Sequence, residues 1–303
     1  IFLLENSSSS RFRMCPRHIL TLASLRKPIS RQPHHHMKSI FKKIITYILT
    51  LEAKAALRNH NPKIIAVTGS VGKTSTKDAI FTVVSSGLSV RKSQKTLNSD
   101  IGLPLAILDL EKAWYSPLGW IRNIVAGAKA ASRTAPFPDY LVLEVGADHL
   151  GDIKSIAQWL RPDIVVLTCM ADIPVHIEFF KDVAEVLKEK MYLARALRPE
   201  GILVVNADDH HFLNAARDIS AHKILYGKSK DAFVQIKESE IMYDDTPLHL
   251  PRGQYASIAI GKAQLHIELK GVLGEHLMYP LAAACAVGSA LSLGSKLGDA
   301  LKD

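Results

Sequence analysis

The chain has 303 residues, which is enough for one large domain or two ordinary domains with a substantial core. Apolar residues make up 48% of it and charged residues 22%, a composition typical of a soluble globular protein. The net charge of +9 comes from the first part of the chain: residues 1–36 carry six Lys and Arg against one acid, residues 37–60 carry five against one, and residues 61–303 carry 27 of each. A basic end on a neutral body argues against a nucleic-acid-binding core.

Residues 1–36 are rich in serine and arginine and end in the histidine triplet His34–His36. Such a segment resembles an organelle transit peptide. We favour the alternative that Met37 is the natural start and that residues 1–36 are a disordered or non-native leader, because the sequence after Met37 looks like a bacterial start. No carboxylate or cysteine cluster accompanies the histidines, so we expect no metal site among them.

The cysteines are few and far apart: Cys15, Cys169 and Cys285. This pattern predicts neither a disulfide framework nor a zinc site, as is usual in a reducing cytoplasm. No apolar run approaches the roughly 18 residues that a membrane-spanning helix needs. The sequence therefore predicts a cytoplasmic protein.

Residues 37–60 are predicted to form an amphipathic helix, since apolar residues recur at helical spacing from Phe41 to Ala55 with lysines around them. A similar apolar stripe with two cations lies at 117–131. Packing on the domain is the expected role of both segments. The alternative is peripheral contact of 38–58 or 117–131 with a membrane surface, for example the inner membrane face.

A phosphate-binding loop is predicted directly after the first helix. The β-branched run Ile64–Val67 indicates a buried strand, and Gly69 and Gly72 allow a tight turn whose N–H groups face an anion. A helix then begins at Lys73 or Thr74, placing a positive dipole end and a lysine at the turn. The string T-G-x-x-G-K-T-[ST] lacks the first glycine of the general motif, so an ordinary strand-turn-helix is the alternative. The predicted nucleotide-binding residues are Gly69, Ser70, Val71, Gly72, Lys73, Thr74 and Ser75.

A second buried strand, Tyr140–Gly146, carries Glu144 near its carboxyl end. In parallel α/β sheets ligands bind at that edge. A glutamate in a buried strand needs a partner, and the Mg²⁺ ion of a nucleotide is the simplest one.

Strands and helices alternate over the rest of the chain. Further strands are predicted at 88–91, 164–168 and 202–205, with helices up to Ser86, at 183–197 and at 281–293. This alternation predicts an α/β fold with a mostly parallel sheet flanked by helices. Residues 221–272 change character, and strands at 233–236, 255–260 and 263–269 predict a small β-rich subregion.

Six ordered strings resemble the Mur ligase family, and within it the branch that adds D-alanyl-D-alanine to a UDP-N-acetylmuramoyl-tripeptide. They are TGSVGKTSTKDAI (68–80), NSDIGLPLAIL (98–108), LEVGADHLGDI (143–153), HIEFFKDVAEVLKEK (176–190), VVNADD (204–209) and GEHLMYPLAAA (274–284). The resemblance covers about residues 61–300. It identifies 61–303 as a central ATP-binding domain of this family.

The resemblance implies roles for particular residues. Lys73 matches a phosphate-binding lysine, and Thr74 and Glu144 match Mg²⁺ ligands. His176 matches a histidine associated with a second Mg²⁺. Lys190 matches a lysine that CO₂ carbamylates into an anionic metal ligand, which requires a lysine that can lose its proton. Lys73, His176 and Lys190 are thus the implied catalytic residues.

Other matches are partial. Asn98 and Ser99 stand where the family has an asparagine-rich substrate loop, with one asparagine lost. Asn206 and His276 match nucleotide-binding positions, but Tyr279 and Pro280 follow where an asparagine near adenine is expected. Adenine is then expected to be held by backbone and apolar contacts.

The resemblance also implies what accompanies this domain. Family members have an N-terminal domain that binds the UDP moiety and a C-terminal domain that closes over ATP. Neither is expected within these 303 residues, so the chain is expected to be the central domain of a longer protein.

The implied reaction is ATP-dependent amide-bond formation in peptidoglycan precursor synthesis. A UDP-linked muramyl peptide and D-Ala-D-Ala are its substrates, and an acyl phosphate is its intermediate. The alternatives are another ligase of the superfamily, similar to folylpolyglutamate or cyanophycin synthetase, a nucleotide-binding module without ligase activity, and an unrelated P-loop NTPase.

Overall fold

The structure, a computed structural model, describes residues 33–94, 97–113, 116–171, 177–246, 248–294 and 297. Within these ranges the helices are α1 (Pro33–His60), α2 (Lys73–Ser85), α3 (Gly102–Leu108), α4 (Pro117–Ala130), α5 (Asp152–Leu160), α6 (Val183–Arg195), α7 (His210–Ala215) and α8 (Met278–Ala290). The strands are β1 (Lys63–Thr68), β2 (Val90–Lys92), β3 (Tyr140–Glu144), β4 (Ile164–Leu167), β5 (Ile202–Asn206), β6 (His222–Gly227), β7 (Val234–Tyr243), β8 (Pro251–Ile260) and β9 (Ala263–Lys270). Short 3₁₀ turns lie at Ile177–Phe179 and Glu275–Leu277.

All nine strands belong to one sheet, in the order β2-β3-β1-β4-β5-β6-β7-β8-β9. The strands from β2 to β7 pair in parallel, and β8 and β9 continue the sheet antiparallel. The predicted α/β architecture with a mostly parallel sheet is confirmed.

Strand β1 lies inside the sheet and is buried on both faces. Beyond Lys63 every residue of β1 is buried, which explains its continuous β-branched run. Ile65 and Val67 pack on the face that α2 and α8 cover. Ile64 and Ala66 pack on the opposite face, whose core includes buried residues of α1 and α3 to α7.

The strands of the predicted β-rich subregion are longer than expected and extend the main sheet. Strand β7 pairs with β6 at Tyr226↔Val234 and then forms a long hairpin with β8. The outer half of β7 is exposed on both faces, with Met242 as the buried exception. Alternating hydrophobicity is therefore weak there, and the sequence marks only the inner ends of these strands.

Helix α1 runs from Pro33 to His60, so it begins before the predicted start at residue 37 and ends at the predicted end. Its buried row, which includes Ile45, Leu49 and Ala53, packs into the core. Residues 1–32 of the predicted leader lie outside the described residues. Among the described helices, α1 included, no stretch is both long and apolar enough to span a membrane.

The parallel register brings functional segments to one edge of the sheet. Val67 of β1 lies beside Glu144 of β3, and Thr68 lies beside Leu167 of β4. The loops after β1, β3 and β4 therefore meet at the carboxyl ends of the strands, where ligands bind in such sheets.

Candidate functional site

The turn after β1 has the conformation that its two glycines permit. Gly69 has φ +153° and Gly72 has φ +81°, and Gly72 is the N-cap of α2. A Cβ atom at Gly69 would overlap the Thr168 hydroxyl. Glycine at this position thus lets the loop pass close to the end of β4.

The loop is fixed to the end of β4 by hydrogen bonds. The Ser70 N–H donates to the Cys169 carbonyl at 2.7 Å, and the Val71 N–H donates to the same oxygen at 3.3 Å. The Thr168 hydroxyl donates to the Val71 carbonyl at 2.6 Å. These contacts hold the loop over the N-terminus of α2, where backbone amides favour an anion.

The Lys73 side chain folds back over this loop. Its ammonium group donates to the carbonyl oxygens of Gly69 at 3.0 Å and Ser70 at 3.2 Å. Burial lowers the pKa of Lys73 below its ordinary value, while the carboxylates of Glu144 and Asp148 oppose this shift. The two nearby carboxylates thus favour the protonated form of Lys73, against the effect of burial.

The side chains of Thr74, in the first turn of α2, and Glu144, at the end of β3, are in contact. The Thr74 hydroxyl donates to Glu144 Oε2 at 2.8 Å, and Asn98 Nδ2 donates to Glu144 Oε1 at 3.3 Å. The Ser93 hydroxyl accepts from the Glu144 N–H at 3.0 Å. Glu144 is only 3% exposed, and the contacts from Thr74 and Asn98 offset the burial of its carboxylate.

The predicted substrate residues lie beside this carboxylate. Asn98 contacts Glu144 through its side chain, and its carbonyl accepts from the Gly146 N–H at 3.0 Å. Ser99 lies in the turn before α3, where its carbonyl accepts from the Leu103 N–H at 2.8 Å. Ser75, one of the predicted nucleotide-binding residues, is exposed in the first turn of α2.

Lys190, on α6, is a buried lysine that interacts electrostatically with Lys73. It is 5% exposed, and burial together with the charge of Lys73 lowers its pKa to about 8, against the opposing charge of Glu189. Glu189 Oε1 accepts from the Lys154 N–H at the start of α5 at 2.9 Å. This contact links α6 to α5 beside Lys190.

His176, the other predicted metal ligand of this region, lies outside the described residues. Within the described part of the chain, no group of three or more His, Cys, Asp or Glu side chains has an arrangement that would hold a metal ion.

A cavity of about 600 Å³ opens beside the loop, at the ends of β4, β5 and β6. Asn206 and His276, both predicted nucleotide-binding residues, line it. So do Asp208 and Tyr279, to which the sequence assigned no binding role. The Tyr279 hydroxyl donates to Asp208 Oδ2 at 3.0 Å, and the Lys228 N–H donates to the same oxygen at 2.6 Å.

The position of Asp208 at the end of β5 was the available signal for this cavity, since a carboxylate follows a buried strand there. Its partner Tyr279 lies 71 residues further along the chain. The local sequence therefore carried no signal for the pair.

The Mur ligase middle domain family matches residues 123–288, more than half of the chain. The chain belongs to the Mur ligase family. Among its relatives, the UDP-N-acetylmuramoyl-tripeptide–D-alanyl-D-alanine ligase of Haemophilus influenzae is 26% identical over 244 residues, which are 79% of this chain and 45% of that ligase. The chain thus spans less than half the length of this relative.

Solved Mur ligase structures share the fold. MurF from Acinetobacter baumannii has a TM-score of 0.66 at 22% identity, over 84% of this chain and 49% of that one. MurF from Thermotoga maritima, solved in complex with ADP, has a TM-score of 0.63 at 22% identity, over 82% of this chain and 49% of that one. The sheet and its helices are therefore those of a Mur ligase central domain.

Proposed function

We propose that the protein is the ATP-binding part of a cytoplasmic ligase that joins D-alanyl-D-alanine to a UDP-N-acetylmuramoyl-tripeptide. The Thr74–Glu144 hydrogen bond beside the Lys73 loop carries this proposal, because it joins a nucleotide-binding element to a buried carboxylate. Membership of the Mur ligase family and the names of the relatives supply the reaction class.

In this proposal the loop holds the phosphates of ATP. The amides at the N-terminus of α2 and the Lys73 ammonium group are the donors, and a lysine acts as a point charge toward the β- and γ-phosphates. The cavity lined by Asn206, Asp208 and His276 takes the nucleoside, since it opens directly beside the loop. The T. maritima structure with ADP supports a nucleotide in this fold.

Thr74 and Glu144 fit a Mg²⁺ site, because hydroxyl and carboxylate oxygens are the ligands that Mg²⁺ prefers. When bound, Mg²⁺ supplies positive charge that offsets the negative charge developing on the transferred phosphoryl group. Asn98 holds the Glu144 carboxylate in position through its side-chain amide, and Ser93 fixes the backbone of Glu144 at its N–H. In this proposal His176 belongs to a second Mg²⁺ site, together with Lys190.

Lys190 is proposed to react with CO₂ and become a carbamate. The neutral amine forms an N–C bond with CO₂ and releases a proton, which turns a cation into an anion. A pKa of about 8 makes the neutral amine accessible near physiological pH. A carbamate beside Lys73 would also relieve the repulsion between the two ammonium groups.

The proposed reaction has two chemical steps. An oxygen of the tripeptide carboxylate attacks the γ-phosphorus, the bond to ADP breaks, and an acyl phosphate forms. The amine of D-Ala-D-Ala attacks the acyl carbon, phosphate leaves and the amine proton is lost. Activation is needed because a carboxylate has no good leaving group. The Asn98–Ser99 segment is proposed to face the muramyl substrate.

The first test is nucleotide binding by the protein with Lys73→Ala. Removal of the ammonium group is expected to weaken the affinity for ATP with Mg²⁺ by about 100-fold, measured by titration calorimetry. Lys63→Ala is the matched control, because Lys63 lies at the other end of β1 and is largely exposed. Unchanged affinity in the Lys73 variant would contradict the proposal.

The second test is phosphate release with defined substrates. Because the chain is proposed to be one part of a longer ligase, the assay uses the full-length ligase, and release is expected when UDP-N-acetylmuramoyl-tripeptide and D-Ala-D-Ala are both present. Release with folate and glutamate instead would favour a folate ligase. Nucleotide binding without release under either condition would favour a binding module.

A further inference from the structure

Helices α1 and α4 both expose large apolar side chains, which we call the α1–α4 surface. Its residues are Phe41, Ile44, Tyr47, Leu51, Leu118, Ile121 and Val125. Leu118 is 78% exposed, and Tyr47 and Val125 are each 66% exposed. A row of this kind on two helices is more than the scattered apolar residues of an ordinary surface.

The two helices run in the same general direction and approach each other toward their C-terminal ends. A Cβ atom at Gly127 of α4 would overlap the Glu52 carboxylate of α1, so the helices approach closely there. Asn59 Nδ2 donates to the Ala131 carbonyl at 2.7 Å at their C-terminal ends. The N-terminal halves, which carry most of the exposed apolar side chains, therefore lie at the same end of the pair.

On each helix, the row of side chains that packs on the domain is separate from the exposed apolar row. The buried row of α1 includes Ile45, Leu49 and Ala53, and that of α4 includes Trp120 and Gly127. The exposed apolar residues are thus additional to the packing rows, and the core does not account for them.

The exposed charged side chains of α1 and α4 themselves are positive. Exposed Lys43 and Arg58 lie on α1, and exposed Arg122 and Lys129 lie on α4. Between Phe41 and His60, and along α4, Glu52 is the one acid in the sequence, and its Oε2 atom is buried against α4. The two helices therefore present cations and apolar side chains to solvent.

We propose that the α1–α4 surface binds the surface of a phospholipid bilayer that contains anionic lipids. Apolar side chains enter the boundary of the acyl chains while flanking Lys and Arg contact the head groups. A second copy of the chain is a poorer partner, because a symmetric dimer would place this cation-rich face against itself. This role is separate from the ligase proposal and does not depend on it.

The test is co-sedimentation of the 303-residue protein with vesicles of phosphatidylglycerol, compared with vesicles of phosphatidylcholine. Binding to phosphatidylglycerol is expected, and added salt is expected to weaken it. Substitution of Ile44→Ser with Val125→Ser is expected to lower the partition coefficient at least about tenfold. Lys43→Glu with Arg122→Glu is expected to have a similar effect.

Matched controls come from the two hairpins formed by β7, β8 and β9. Tyr243→Ser with Leu248→Ser removes equally exposed apolar side chains there, and Lys262→Glu with Lys270→Glu reverses exposed charges. Both controls are expected to bind vesicles as the unchanged protein does. Circular dichroism and ATP affinity verify that every variant is folded.

Three results would overturn the proposal. One is an unchanged protein that stays in the supernatant with both lipids. Another is a variant of the α1–α4 surface that sediments as fully as the unchanged protein. The last is a dimer in solution that Ile44→Ser with Val125→Ser dissociates while vesicles bind neither form, since the surface would then contact a second copy.

Discussion

Lys190 is a residue whose chemistry depends on its burial. With a pKa of about 8, the neutral fraction of its amine increases as the pH rises through that value. CO₂ adds to neutral amines, so we expect a carbamate signal in the NMR spectrum of protein equilibrated with labelled bicarbonate. At constant dissolved CO₂ the signal is expected to grow as the pH rises through about 8.

Lys190→Arg is expected to remove this signal, because arginine stays protonated. Lys188→Arg is the matched control, since Lys188 is exposed on the same helix. A signal that survives in Lys190→Arg, or disappears in Lys188→Arg, would assign the carbamate elsewhere.

The sequence identified individual site residues to different extents. Lys73, Thr74 and Glu144 follow from a glycine-rich turn and a carboxylate at the end of a buried strand, and the structure brings Thr74 and Glu144 within 2.8 Å. Lys190 is a lysine on a helix with no local motif, so only the family resemblance singled it out. Asp208 and Tyr279 were missed because their contact joins distant segments. The chemical roles of these residues remain predictions.

Glu52 makes the contact between α1 and α4 sensitive to pH. Burial raises its pKa from 4.5 to about 7, and its Oε2 atom has no hydrogen-bond partner among the described residues. The folded state therefore holds the proton more tightly than the unfolded state. The free energy of unfolding should decrease as the pH rises from about 4.5 to about 7.

Glu52→Gln is expected to raise the melting temperature at pH above 7 and to flatten its dependence on pH. The side chain is partly exposed, so solvent screening limits the gain to about 1 kcal/mol. Thermal unfolding at several pH values measures the effect, with Glu111→Gln as an exposed control just before α4. Equal melting curves for Glu52→Gln and the unchanged protein would argue that water reaches the carboxylate.

At the scale of elements, local sequence patterns predicted most helices and parallel strands, but not which strands pair with each other. Strands β1, β3 and β4 are continuous apolar runs, and each was found close to its predicted bounds. The β7–β8 hairpin was predicted too short and as part of a small sheet. Its outer half lacks an apolar face, and its attachment to β6 depends on pairing between segments with no shared local signal.

Across the whole molecule the candidate site draws on several strands of the sheet. Binding of ATP with Mg²⁺ should therefore stabilise the sheet as a unit, by about 2.7 kcal/mol when the ligand is at a hundred times its dissociation constant. Thr74→Val removes the hydroxyl that contacts Glu144 and is expected to reduce the Mg²⁺-dependent part of this stabilisation. Stabilisation by ATP without Mg²⁺ should change little.

Thermal-shift assays with ATP, in the presence and absence of Mg²⁺, measure the Mg²⁺-dependent and the Mg²⁺-independent parts of this stabilisation. Thr82→Val is the matched control, because Thr82 is exposed on α2 and its hydroxyl contacts only that helix, at the Asp78 carbonyl. An equal Mg²⁺-dependent shift in the Thr74 variant and the control would remove Thr74 from the metal site.

The hydrogen bonds between the loop after β1 and the end of β4 also determine when the site forms during synthesis. The Thr168 hydroxyl contacts the Val71 carbonyl across 97 residues of chain, and the Cys169 carbonyl receives the loop amides. When the loop has emerged from the ribosome but Thr168 and Cys169 have not, the loop lacks the hydroxyl and the carbonyl group that hold it. We therefore expect affinity for nucleotide to arise only after the end of β4 has been made and has paired with β1, 97 residues of chain after the loop itself.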